Sequence, residues 1–225
     1  LSLHDALPIL ENTGADWVAC GIRFTFPDGS SSCHSAIHGH ADLHGIGVLT
    51  RHKIANWEDV IRHFPSAWNK LYRRKLIDGL RFSKNTWFED HTFYYQAAAR
   101  TDHLLHLAAP LYVQTRERPG QITGSDSDRV FEQFDVLDKI HTVLNDTSHP
   151  GSALAFQNIT SRLLFERSTA LRDPDRRAKY ASASATFLKE RSLTYAPDWD
   201  SHISLAWGLE MSGELPLSVV IPWCG

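Results

Sequence analysis

Two adjacent carboxylates, Glu89 and Asp90, stand directly ahead of an apolar run at helical spacing, Phe93, Tyr94, Ala97 and Ala98. No other feature constrains the fold of this chain as tightly. Thr86-Trp-Phe-Glu89 has the spacing of a capping box, in which threonine and glutamate satisfy each other's backbone donors. A helix is therefore expected to open here, with Asp90 in its first turn, where unpaired backbone N–H groups favour negative charge. Upstream, Asn56 can cap a short helix over Trp57 to His63, stopped by Pro65. Ser66 can cap the next, which carries Trp68, Leu71, Tyr72 and Leu76 and ends near Gly79.

Helices alternate with strand-like segments, so the fold class expected is α/β. Asp16 to Phe26 alternates apolar and polar residues and then meets Pro27-Asp-Gly29, a strand running into a turn. Residues 30–50, rich in Ser, Gly and His, read as a loop or loose hairpin. His103 to Thr115 reads as extended, broken at Ala-Ala-Pro110, with Leu111-Tyr-Val113 as its best strand. Arg116 to Thr123 is a loop by its Pro-Gly pair. Val130, Phe134, Leu137, Ile140 or His141, and Leu144 make one face of an amphipathic helix, with Asp126, Ser127 and Asp128 as candidate caps. Beyond His149-Pro-Gly151, Phe156, Ile159, Leu163, Leu164, Arg167 and Leu171 keep helical spacing. Asp173-Pro174 then starts another helix as cap and first residue. Residues 146–213 thus read as a helical extension, and Leu217 to Pro222 as a strand.

Size and charge exclude some classes. A chain of 225 residues is one large domain or one and a half small ones. Its net charge of −3 makes no electrostatic case for nucleic acid or an anionic membrane as the main partner. Three cysteines, Cys20, Cys33 and Cys224, are too few and scattered for a disulfide framework, which favours a reducing cytoplasm. No apolar run approaches the roughly 20 residues of a membrane helix. Residues 1–9 have neither the basic start of a signal peptide nor an initiator Met. They resemble translated adaptor read-through and are expected to be a non-native leader.

Four elements in order carry a resemblance. Trp68-Asn-Lys70 matches a W-x-K element, Arg81-Phe82 an R-F element and Glu89-Asp90 an E-D element. Leu111-Tyr112 with Arg116, Arg118 and Gly120-Gln-Ile-Thr matches an L-Y…R-x-R-x-G-S-I-T loop, Gln121 standing where serine is usual. Together they resemble the acceptor half of a family 2 glycosyltransferase with the GT-A fold. The resemblance covers about residues 10–145. It implies a partial GT-A, Rossmann-like domain lacking its N-terminal nucleotide-binding half, followed by the helical extension. Residues 214–225 then look like the first strand of a second, tandem domain.

What the resemblance implies is chemical. The intact enzyme would transfer a sugar from a nucleotide-sugar donor to a glycan or other hydroxyl acceptor, inverting the anomeric carbon, in work such as bacterial surface polysaccharide synthesis. Asp90 is implied as the base and Glu89 as its orienting neighbour. Arg116 and Arg118 are implied as contacts to the diphosphate, and Trp68 and Lys70 as lining the substrate cleft. A divalent metal, Mg or Mn, is expected, with its DxD ligands outside this chain. Asp126-Ser-Asp128 has those letters but follows the base in a capping loop. The fragment alone is expected to be inactive, and the enzyme cytoplasmic, its place compatible with the inner face of the membrane.

Simpler readings stand beside these. Glu89 and Asp90 can merely cap a helix, Arg116 and Arg118 can be solvated surface, and Trp68 can be core. A non-catalytic helical interaction or carbohydrate-binding module, or an inactive truncated fragment, would share the composition. Cys33-His34, His38, His40 and His44 carry zinc-ligand types in a spacing that fits no established zinc pattern.

Overall fold

A computed structural model describes residues 3–37, 48–54, 56–118, 121 and 126–193. The expected strand at Leu217 to Pro222, the end of the helical extension, and His38, His40 and His44 lie outside them. The order is α1 (Leu3–Thr13), β1 (Trp17–Thr25), β2 (Ser31–His34), β3 (Leu49–Lys53), α2 (Trp57–Ile61), β4 (Lys70–Tyr72) and α3 (Arg74–Ile77). Then follow α4 (Glu89–Ala98), β5 (His103–Thr115), a 3-10 turn (Asp128–Phe131), α5 (Glu132–Asn145), α6 (Ser152–Ala170) and α7 (Pro174–Glu190). The architecture is α/β with a mixed sheet.

The sheet runs β2-β1-β5-β3, and β4 joins the β2 side of β1. Only β1 and β5 are parallel; every other pairing is antiparallel. One edge of β1 is shared, its first residues (Trp17 to Ala19) facing β4 and its last (Ile22 to Thr25) facing β2. β5 is a single strand, with no break at Pro110. The register slips there instead: Cys20 faces Leu107 but Gly21 faces Pro110, so extra residues are absorbed as an irregularity beside a proline that cannot donate.

Two expectations at the site's edge are overturned. Residues 70–72 are strand, because Trp17 and Val18 in β1 pair with Tyr72 and Leu71 and outweigh the weak helical pattern. The helix that follows is a single turn, Arg74–Ile77, before Gly79 turns the chain with φ +76°. The capping box at Thr86 also does not form. Phe88 holds the cap position with φ 63°, and the Thr86 hydroxyl donates to the Lys84 carbonyl. The Trp87 N–H is instead taken by the Glu132 carboxylate at 2.7 Å. Of the loop or loose hairpin expected over residues 30–50, β2 and the start of β3 are strand, and they pair with β1 and β5 rather than with each other; residues 38–47 lie outside the described residues.

Other caps form as the residues predict. The Asn56 side chain accepts from the Asp59 N–H while Asp59 accepts from that of Asn56, a complete capping box. Asp173 accepts from the Arg176 N–H, with Pro174 opening α7. One apolar cluster then joins sheet and helices, from Trp17 through Trp57, Tyr94, Leu137 and Ile159 to Leu188. Its polar atoms are placed with care: Trp57 Nε1 donates to the Leu144 carbonyl (3.1 Å), Tyr94 Oη to that of Val60 (2.8 Å) and Arg162 to that of Ile61 (3.0 Å). Helices α6 and α7 are therefore built into the same core as β1 and α4. The leader expected at residues 1–9 enters α1, whose Leu10 packs against Val18 and Leu105 in a smaller second cluster.

Candidate active site

A cleft of about 580 Å³ opens where the sheet meets the helices. Phe24 and His34 line it from β1 and β2, and Gln114 and Arg116 from the end of β5. Ser66 and Trp68 come from the preceding loop, and Phe88 to His91 from the head of α4. Gln133 in α5 and Leu163, Glu166 and Arg167 in α6 complete the wall. Of the residues singled out in the sequence, Asp90, Glu89, Arg116 and Trp68 meet here. Lys70 and Arg118 do not line the cleft.

Asp90 sits in the first turn of α4, its side chain about 24 % exposed at the cleft wall. Burial pushes its carboxyl up to about 6, against the pull of Lys70 and of backbone N–H groups at Asp90, His91 and Ala67. The result is a carboxylate at neutral pH that holds a proton far more readily than an ordinary aspartate. His91, its nearest basic neighbour at 3.9 Å, is driven down to about 3 by burial and the two arginines nearby, so it is neutral. Glu89, the first residue of α4, lines the cleft beside Asp90.

Lys70 works from below. It is half-buried as a residue, but its ammonium nitrogen is enclosed and donates to the carbonyls of Phe64 and Ser66 (2.7 Å each) and to Asn69 Oδ1 (2.8 Å). It also stands 4.8 Å over the Tyr94 ring. Burial pulls it down toward about 7, while three acceptors and the Asp90 charge favour the ammonium. All three donors are spent on the loop that carries Ser66 and Trp68. Lys70 thus fixes that wall and biases Asp90, without touching a ligand.

Trp68 stacks on Tyr112 of β5, ring centroids 4.6 Å apart, and presents a half-buried aromatic surface to the cleft. After β5 the chain reverses at Glu117, a non-glycine residue with φ 58°. That reversal separates the two arginines. Arg116 lies 5.0 Å over the Phe24 ring and lines the cleft, whereas Arg118 is exposed away from it.

Asp126 and Asp128 are committed elsewhere. Asp126 accepts from the backbone N–H groups of Arg172 and Asp173, and Asp128 pairs with Arg176 at 2.9 Å. Among the described residues no group of three His, Cys, Asp or Glu side chains is placed to hold a metal, so these residues do not fit a divalent ion. No helix among them is long and apolar enough to cross a membrane. The sequence matches no family model and no curated protein.

Sequence reasoning missed Gln133, Glu166 and Arg167 as cleft residues. They come to the cleft through the packing of α5 on α4 and of α6 on α5 and α2, which no local pattern records.

Proposed function

We propose that the intact protein is an inverting, nucleotide-sugar-dependent glycosyltransferase of the GT-A type, and that these residues form its acceptor side. One observation carries the reading: a carboxylate poised near neutrality, at a helix head, in a cleft it shares with an aromatic platform and a guanidinium. An acceptor hydroxyl attacking an anomeric carbon must lose its proton as the new C–O bond forms. Asp90 takes that proton while the bond from the anomeric carbon to the diphosphate oxygen breaks, and the nucleoside diphosphate leaves with the electron pair. A base matched to the working pH contributes about 10² to 10⁴ in rate.

The neighbours suit the same step. Glu89 accepts hydrogen bonds from acceptor hydroxyls, Trp68 offers an apolar plane to a sugar ring, and Arg116 offsets charge on the departing diphosphate. A bacterial surface glycan is the biological setting that this reading suggests. On this reading the divalent metal that would hold the diphosphate takes its ligands from a DxD outside this chain.

The test is release of nucleoside diphosphate from a panel of UDP-, GDP- and TDP-hexoses by the intact protein, with Mg²⁺ or Mn²⁺ and oligosaccharide acceptors. Asp90→Asn is expected to abolish acceptor-dependent release and leave nucleotide affinity nearly unchanged. Retained turnover in that variant removes Asp90 as base and the reading with it. A protein that binds oligosaccharides but turns over no nucleotide sugar is a carbohydrate-binding module instead.

A further inference from the structure

We infer that Arg167, on α6, binds an anionic group of the cleft's ligand, a phosphate or a carboxylate, through the N–H edge of its guanidinium. Four observations converge on this side chain. It lines the cleft together with Asp90 and Arg116, although it lies in the segment that the sequence reads as a helical extension. Its guanidinium carbon sits 4.8 Å over the ring of Phe88, the residue directly before Glu89 and Asp90. Phe88 is itself locked, buried and in the left-handed region at φ 63°. A non-glycine residue in that region is strained, and such strain gathers at sites where position matters. The Arg167 fork is therefore registered to the helix head that carries the carboxylates.

The fourth observation is an unmet bond. Arg167 Nε is buried and finds no hydrogen-bond partner. The contact with Phe88 supplies no hydrogen-bond acceptor, so the guanidinium N–H groups still seek one. Two other arginines in this region are spent on carboxylates of the protein, Arg129 on Glu132 and Arg176 on Asp128. Arginine stays charged even where burial lowers its pKa. A charged donor kept at a cleft wall without a partner is a cost to folding that a ligand anion removes. Arg116 supplies a second guanidinium from the sheet side, over Phe24.

Two sources carry this chemistry, the donor's diphosphate and an acidic acceptor sugar. Naming either rests on the transferase reading; anion binding by Arg167 does not. The test titrates the 225-residue chain with inorganic pyrophosphate and, separately, with methyl glucuronide, following the arginine Nε–Hε resonances by NMR. The Arg167 resonance, assigned by its loss in Arg167→Gln, is expected to shift with one probe. Arg167→Gln should weaken that probe about tenfold to a hundredfold, and the exposed control Arg172→Gln should leave it unchanged. Pyrophosphate as the sensitive probe points to the donor, and glucuronide to an acidic acceptor. If Arg167→Gln unfolds, Arg167→Lys keeps the charge and stem without the fork, and it too should bind more weakly. A wild-type chain whose Arg167 resonance answers neither probe, or variants that bind as tightly as wild type, overturns the inference. Retained transfer in Asp90→Asn would sink the transferase reading and leave this result untouched.

Discussion

Replacing Asp90 with asparagine should make the folded protein more stable at neutral pH. The carboxyl is raised from its ordinary 3.8 to about 6, chiefly by burial. Well below pH 3.8 the group is protonated in both folded and unfolded chains, and it costs nothing. As pH rises from about 4 to about 6 the unfolded chain releases its proton first, so the folded state binds more protons and loses stability. The loss saturates above the folded value. Each pKa unit is worth about 1.4 kcal/mol, so a rise of roughly two units amounts to about 3 kcal/mol. Asparagine keeps the shape and carries no charge to desolvate. Urea unfolding of both proteins at pH 4, 5, 6 and 7.5 reads this directly. The variant should gain about 2 kcal/mol on wild type between pH 4 and 7.5, and the midpoint difference should widen across pH 4 to 6. A pH-independent difference, or a variant less stable at pH 7.5, would refute the account of a strained carboxylate. Gained stability with lost transfer is the trade expected of a group kept for chemistry.

Two further substitutions probe the frame around the site. Lys70→Met strips three acceptors of their donor and should cost about 2 to 4 kcal/mol in urea unfolding. On the proposed transferase reading it should also move the acid limb of the intact protein's pH–rate profile upward, since the charge that holds Asp90 down is gone; an unmoved limb would show that Lys70 does not bias Asp90. Asp173→Ala removes the cap of α7, the Arg176 N–H bond, and should cost about 0.5 to 2 kcal/mol by thermal or urea unfolding, with Asp173→Asn recovering most of it.

Local chemistry is what the sequence made legible. Asn56 and Asp173 cap the helices that their side chains predict, β1 ends at the Asp-Gly turn, and α4 opens at Glu89. The errors fall where distant partners decide. Lys70-Leu-Tyr72 has residues that suit either structure, and the open edge of β1 selects strand. Thr86 could have capped α4, yet the chain turns left-handed at Phe88, which takes the cap position instead. The separation of Arg116 from Arg118 turns on one left-handed residue, Glu117, for which no glycine gave warning. Asp90, Arg116 and Trp68 could be singled out because each sits in a distinctive short pattern. Arg167 could not, since its part depends on how α6 lies against the head of α4.

The shared core has a practical consequence for anyone recombining this protein with its kin. A splice at residue 145 would cut between Leu144 and Phe156, which belong to one apolar cluster with Trp57 and Tyr95. Such a hybrid would expose oily surface on both fragments and part the guanidinium of Arg167 from the ring of Phe88. Swaps meant to alter what is recognised should carry α6 and α7 along with the sheet.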